Sequence, residues 1–317
     1  MGRWTAAEIP DQSGRTVLVT GASSGLGLRS AEALARAGAT VLLGCRNPEK
    51  GTAAREQVLA AATGADPVLV AIDLADLDSV RACAQGLADT VDRLDVLMNN
   101  AGVMAIPLTR STQGFEAQFA TNHLGHFALT AQLLPLLLRA DDPRVVTTSS
   151  QAHRMGRMRW DDLNWERGYG KWRAYGQSKL ANLLFTFELD RRARAAGLGL
   201  LATAAHPGYA ATHLQAVGPE QSGNRFMSRA SEAANRIFAQ TDEMGALPQL
   251  YAATMPDVRG GEYFGPDGLF EQRGHPERVG ASKAARNEAD AQRLWEISER
   301  LTGVGFDLTG RAPTGEH

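Results

Sequence analysis

Cysteine is almost missing from this chain: Cys45 and Cys83 are the only two in 317 residues. Neither a disulfide framework nor a CxxC zinc site can be built from them. An excess of one charge is missing too. Lys and Arg number 33 against 35 Asp and Glu, a formal net charge of -2. No basic surplus argues for nucleic acid as a partner. Long apolar runs are absent. The longest, Ala131 to Leu138, is broken by Gln132 and Pro135, far short of the roughly 20 residues of a membrane span. The first ten residues, Met1 to Pro10, lack the apolar stretch of a signal peptide. A cytoplasmic protein without an integral membrane segment is the expectation, with a loose peripheral contact left open. Internal repeats and low-complexity tracts are also lacking.

What is present is an alternation of strands and helices. Apolar residues make up 44% and charged residues 21% of the chain, as in ordinary globular domains. Short apolar runs read as buried strands at Thr16–Thr20, Thr40–Gly44, Val68–Ile72, Leu94–Met98, Arg144–Thr148 and Leu198–Ala204. Helical segments fall between them: Leu26–Ala37, Glu49–Ala62, Ser79–Val91, one or two within Phe115–Leu138, and Tyr175–Ala195. Such βαβ units predict an α/β fold, a doubly wound parallel sheet of the Rossmann type with helices on both faces. No linker divides the chain, so a single domain over 1–317 is expected, with a cofactor-binding core over 14–210. Residues 211–310 read as a substrate flap followed by C-terminal helices: Thr212–Gln240 is polar, Gly245–Thr254 and Ala284–Thr302 are helical, Gly261–Phe264 is a last edge strand, and the tail after Gly310 is disordered.

The first strand ends in a glycine-rich turn, Thr20-Gly21-Ala22-Ser23-Ser24-Gly25-Leu26-Gly27. Glycines there permit a tight turn, close approach to a pyrophosphate and close helix packing. The helix start presents free N–H groups and the positive end of its dipole to phosphate. Where an NAD site carries a carboxylate at the end of the second strand, this chain reads Gly44-Cys45-Arg46-Asn47. Arg46 is a planar cation suited to a 2′-phosphate, so NADP(H) is favoured over NAD(H). Asp73, followed by Leu74 at the end of the third strand, reads as an acceptor for the adenine amine or as a turn residue.

Tyr175 and Lys179 lie four apart, on one face of a helix. A tyrosine whose phenolate is favoured by a nearby ammonium and by oxidised nicotinamide can exchange a proton with a carbonyl or alcohol oxygen. Thr147-Thr148-Ser149-Ser150 ends the fifth strand at the edge where doubly wound folds bind ligands. A serine hydroxyl there can hold the substrate oxygen. Asn99-Asn100-Ala101-Gly102 ends the fourth strand at the same edge, and Asn122 lies in the helix that follows.

These motifs, taken in order with His206-Pro207-Gly208, resemble those of the short-chain dehydrogenase/reductase family over roughly residues 14 to 303. The resemblance implies that Tyr175 is the catalytic acid/base, that Lys179 binds ribose and lowers the tyrosine pKa, and that Ser150, second in its pair, orients the substrate. It implies that Asn122 holds a proton-relay water. Asn100, Ala101 and Gly102 would line the adenosine side of the cofactor, and Pro207, Gly208 and Thr212 would contact the nicotinamide and its phosphates. Ser150 and Tyr175 are 25 residues apart, about twice the family's usual spacing. With Gly44 to Gly51 and Leu294 to Gly303, that insertion resembles the retinol dehydrogenase and protochlorophyllide reductase-like branch. The cysteine that protochlorophyllide reductases carry after the catalytic lysine is absent, since Leu180-Ala181-Asn182 follows Lys179. The resemblance implies a homodimer or homotetramer formed through helices such as Phe115–Leu138 and Tyr175–Ala195, with a monomer, favoured by the long C-terminal segment, as the alternative.

The expected activity is therefore an NADP(H)-dependent oxidoreductase, a ketoreductase working on an apolar small-molecule substrate. The alternatives are a C=C reductase or epimerase, or a non-catalytic dinucleotide-binding regulator. No metal is expected: His123 and His126 are three apart on a helix without a third ligand. His153 reads as a surface residue, with an approach to the substrate pocket as the alternative. Trp160, Trp165 and Trp172 read as packing of a long loop, with a roof over an apolar ligand as the alternative, Arg191, Arg192 and Arg194 as a solvated face, and Cys45 as a small buried filler.

Overall fold

The computed structural model describes residues 3–208 and 240–308. Thr212, most of the expected flap and the tail after Gly310 lie outside the described residues. Among the described residues, eight strands form one sheet in the order β3-β2-β1-β4-β5-β6-β7-β8. They are β1 (Thr16–Thr20), β2 (Thr40–Cys45), β3 (Val68–Ala71), β4 (Val96–Asn99), β5 (Arg144–Thr148), β6 (Leu201–Ala205), β7 (Tyr263–Pro266) and β8 (Pro276–Arg278). All neighbours are parallel except β7 and β8. Strand order reverses between β1 and β4, which opens a ligand crevice at their carboxyl ends.

The helices are α1 (Gly25–Arg36), α2 (Pro48–Ala61), α3 (Leu77–Thr90), α4 (Gly125–Leu137), α5 (Lys171–Ala195), α6 (Asp242–Thr254) and α7 (Glu288–Thr302). Alternation along the strands sorts the core onto two faces. Val17, Val19, Val41 and Leu43 pack with Leu34, Val58 and Leu250 on one side. Leu18 and Leu42 pack with Leu87, Phe127 and Leu133 on the other. Val17, Leu18 and Val19 are all fully buried, and burying each contributes roughly 2 kcal/mol.

Three expectations need correction. Gly261–Phe264 is not the edge of the sheet: β7 runs parallel to β6, and the three-residue β8 pairs outside it. Tyr175 does not open its helix. Gly170, extended at φ -137, is the N-cap, so Tyr175 sits one turn inside α5. Ala284–Thr302 is broken at Asn287, whose side chain caps α7 by accepting the Asp290 N–H after a short 3-10 turn.

Candidate active site

The turn after β1 is built to leave room for phosphate. Gly21 and Gly25 take positive φ of +67 and +55, a region costly to residues with a Cβ. Gly27 admits no Cβ, which would run into the Gly21 carbonyl oxygen and lie 2.6 Å from Asn100 Nδ2. Ser24, the N-cap of α1, is exposed and makes no side-chain cap hydrogen bond. The first-turn N–H groups of α1 are thus left uncapped by the residue that usually serves them. A pyrophosphate fits this donor set. Ser23 is half-buried beside it, and Leu26 is buried beneath.

Thr20 fastens this turn to the end of β4. Its Oγ1 accepts the backbone N–H groups of Asn100 at 2.9 Å and Ala101 at 3.0 Å. Asn100 Nδ2 donates back to the Thr20 carbonyl at 2.8 Å. At the end of β2, Arg46 is exposed, and among the described residues it forms no ion pair or hydrogen bond. The neighbouring Cys45 is buried, and burial pushes its thiol up to about 11. Asp73 Oδ1 accepts the Ala75 N–H at 2.9 Å and so shapes the turn after β3. Leu74 is buried under α3.

Beside the turn, four side chains converge. Asn122 lies in a π-helical turn, Ala120–Leu124, just before α4. Its amide pairs with the Val103 backbone in both directions, accepting from N at 2.8 Å and donating to O at 3.0 Å. A Cβ on Gly102 would stand 3.1 Å from Asn122 Oδ1 and 3.4 Å from Lys179 Nζ, so glycine lets these two groups approach. Lys179 donates to the Thr148 carbonyl at 3.0 Å, and its ammonium is 5.8 Å from the Tyr175 ring centroid. Ser150 caps a short 3-10 helix, Gln151–Arg154, and its hydroxyl faces the Tyr175 phenol and acts to lower its pKa. Ser149 is engaged elsewhere, donating to the Lys179 carbonyl at 2.8 Å.

Burial governs the electrostatics. Tyr175 is 7% exposed, and desolvation pushes its phenol up to about 12 against the opposing bond to Ser150. Lys179 is pushed down to about 8 by the same cause. The Tyr175 phenol therefore keeps its proton at neutral pH, because burial outweighs the bond to Ser150. His153 is not a surface residue. It is buried, its Nδ1 donates to the Ser150 carbonyl at 2.7 Å, and its Nε2 accepts the Ser282 N–H at 3.2 Å.

The carboxyl end of β6 completes the site. Gly208 takes φ +65, and its N–H donates to His206 Nδ1 at 3.2 Å. His206 Nε2 in turn donates to Glu271 at 2.9 Å. Pro207 accepts through its carbonyl from Gln240. Glu271 also binds Gln151 at 2.9 Å and Arg154 at 3.2 Å. That clamp holds Phe270 and Glu271 at positive φ of 53 and 55, with Leu269 and Phe270 80% and 78% exposed. Trp172 is half-exposed with its ring 6.3 Å from that of Tyr175. Trp160 and Trp165 instead pack under Arg293 and Arg159 at 4.6 and 4.2 Å. Arg191, Arg192 and Arg194 pair with Glu188 and Asp190.

The sequence profile of the short chain dehydrogenases matches residues 15–222. The chain belongs to that family. Retinol dehydrogenase 14 of Mus musculus is 41% identical over 303 residues, covering 92% of this chain and 86% of its own length. An uncharacterised protein of Mycobacterium paratuberculosis, known by crystal structure, is 45% identical with a TM-score of 0.79, covering 96% of this chain and 98% of its own. A short chain dehydrogenase of Shigella flexneri, crystallised with NADP, is 26% identical with a TM-score of 0.63, covering 81% and 98%. This oxidoreductase falls in the retinol dehydrogenase-like branch of the family. Among the described residues no helix is long and apolar enough to cross a membrane.

Two site residues were missed by sequence reasoning. Gln249 of α6 is 2% exposed. It accepts from Thr148 Oγ1 at 2.8 Å and donates to Ser30 at 2.7 Å and Asn100 at 3.1 Å. His126 of α4 joins Thr20 to Asn122. Gln249 carries no local sequence signal, and His126 stands out only for its spacing from His123, which says nothing of Thr20 or Asn122.

Proposed function

We propose that this chain is an NADP(H)-dependent oxidoreductase that interconverts a carbonyl and a secondary alcohol on an apolar small molecule. One observation carries the reading: Ser150, Tyr175, Lys179 and Asn122 converge beside an uncapped, glycine-built phosphate turn. Bound nicotinamide would supply or accept the hydride at its C4. The turn from Gly21 to Gly27 would hold the pyrophosphate, Asn100 to Gly102 the adenosine side, and Pro207 and Gly208 the nicotinamide side.

Tyr175 is the proton donor in the reductive direction. Its neutral phenol gives its proton to the carbonyl oxygen as charge develops there. The Ser150 hydroxyl donates to the same oxygen and fixes its position. Lys179 Nζ, beside Gly102 and Asn122, faces the place of a ribose and keeps positive charge near the phenolate that forms. Asn122, clamped by Val103, holds that corner still. Arg46 reads the 2′-phosphate, since it is exposed, carries no partner among the described residues, and stands where an NAD site has a carboxylate. Exposed Leu269, Phe270 and Trp172 near the site favour an apolar substrate.

Paired fluorescence titrations with NADPH and NADH test the cofactor. At least tenfold tighter NADPH binding is expected, roughly 1.4 kcal/mol, and Arg46→Ala should erase the difference. Equal affinity for both nucleotides in the parent protein would remove Arg46 from this role. Turnover of apolar ketones and aldehydes with NADPH, lost in Tyr175→Phe, tests the chemistry.

A further inference from the structure

His126 sits in the first turn of α4, 1% exposed. Its Nδ1 lies 3.1 Å from the Asn122 carbonyl oxygen and its Nε2 lies 2.9 Å from Thr20 Oγ1. These contacts fix where the protons are. A carbonyl oxygen only accepts, so Nδ1 carries a hydrogen. Thr20 Oγ1 accepts the N–H groups of Asn100 and Ala101, which fills its lone pairs. Its single proton must point outward, to His126 Nε2 at 2.9 Å or to the Met98 carbonyl at 3.1 Å. A proton on Nε2 would face an oxygen with nothing left to accept it. The neutral Nδ1–H tautomer satisfies every group.

We propose that His126 is a positioning residue that ties the phosphate-binding turn to the Asn122 corner of the catalytic site. The chain of donors runs in one direction: from the Asn100 and Ala101 amides to Thr20, from Thr20 to His126, and from His126 to the Asn122 carbonyl. Thr20 is the residue directly before Gly21, and the Asn100 side chain holds its carbonyl. Asn122 stands beside Lys179 across Gly102. One imidazole therefore spans the floor between the two halves of the site. The charged or titratable neighbours are Lys179 of α5 and His123 of the π-helical turn, and a cationic ring would repel both when they are charged. The inference rests on the nicotinamide reading above, because its purpose is to couple nucleotide binding to proton transfer.

Removing the ring unfastens both ends together. His126→Leu should bind NADPH about tenfold more weakly and turn over about tenfold more slowly per folded molecule, the size of one buried hydrogen bond lost at each end. His126→Gln keeps one donor and one acceptor on a side chain of similar reach, and should recover most of both. A role in core packing alone would give equal losses in both variants, following only their thermal stability. Nitrogen-15 spectra of the imidazoles in the parent protein supply a readout independent of turnover. A neutral Nδ1–H ring that does not titrate between pH 5 and 8 supports the wiring. An Nε2–H tautomer, or a folded His126→Leu with parental NADPH affinity and turnover, overturns it. If the parent protein binds neither NADPH nor NADH, the nicotinamide reading is what fails, and the tautomer still decides whether the chain of bonds exists.

Discussion

Lys179 is a buried ammonium that pairs with no carboxylate among the described residues; its one acceptor is a backbone carbonyl. Burial holds it at about 8, below its ordinary 10.5. The unfolded chain therefore binds the proton more readily between those values, and stability rises with pH across that window. Below pH 8 the cost of burying the charge is felt in full, on the order of 3 kcal/mol. Lys179→Met should accordingly melt several degrees higher at pH 7, with the gain shrinking toward pH 10, while turnover is lost; scanning calorimetry at both pH values checks it. Tyr175→Phe should lower turnover by about 10²- to 10⁴-fold with NADPH affinity little changed, measured by steady-state kinetics beside titration. The Tyr175 and Lys179 pair is legible in the sequence because a four-residue spacing places both on one helical face whatever surrounds them. His126 and Gln249 are not legible. Their partners lie 106 and 101 residues away, at Thr20 and Thr148, and only the sheet order brings these together.

At the scale of the element, two glycines make a sharp contrast. A methyl on Gly27 would collide with the phosphate turn itself, so Gly27→Ala should cost roughly 1–3 kcal/mol and weaken NADPH binding. Gly86 lies exposed inside α3, and a methyl added there would meet nothing within 4 Å. Gly86→Ala should therefore stabilise by about 0.5–1 kcal/mol. Melting temperatures and NADPH titrations of both variants test the pair. The parallel strands are readable because strands buried on both faces are continuously apolar. β8 is not: three residues, Pro276–Arg278, carry no periodicity, and their pairing with β7 depends on a loop clamped by Glu271. The start of α5 escapes the sequence because Gly170, which offers no capping side chain, is its N-cap.

Across the whole molecule, burial of histidine sets the response to acid. His123 is held at about 3, and His126 and His153 at about 4, while His206 is lowered as well, all chiefly by desolvation. The unfolded chain protonates these rings below about 6.5, so stability is lost as pH falls from there toward 4, by up to about 1.4 kcal/mol per pH unit for each ring. Glu116 and Asp190, raised by burial, act in the opposite sense and soften the slope at its acid end. Urea midpoints measured from pH 7.5 to 4.5 should fall steadily below pH 6.5; a flat profile would contradict the neutral, buried rings. The C-terminal helix has a different consequence. α7 lies along α5, and Phe127, Phe185, Trp295 and Phe306 form one aromatic cluster, with Trp295 and Phe306 centroids 4.4 Å apart. α7 thus covers part of the α4 and α5 surface, where family resemblance places subunit contacts. A cover on a covalent tether is present at an effective concentration of about millimolar or more, and dilution cannot lower it. Each molecule carries its own cover for that part of the surface into the most dilute solution, so specific activity should stay constant as the enzyme is diluted into the nanomolar range.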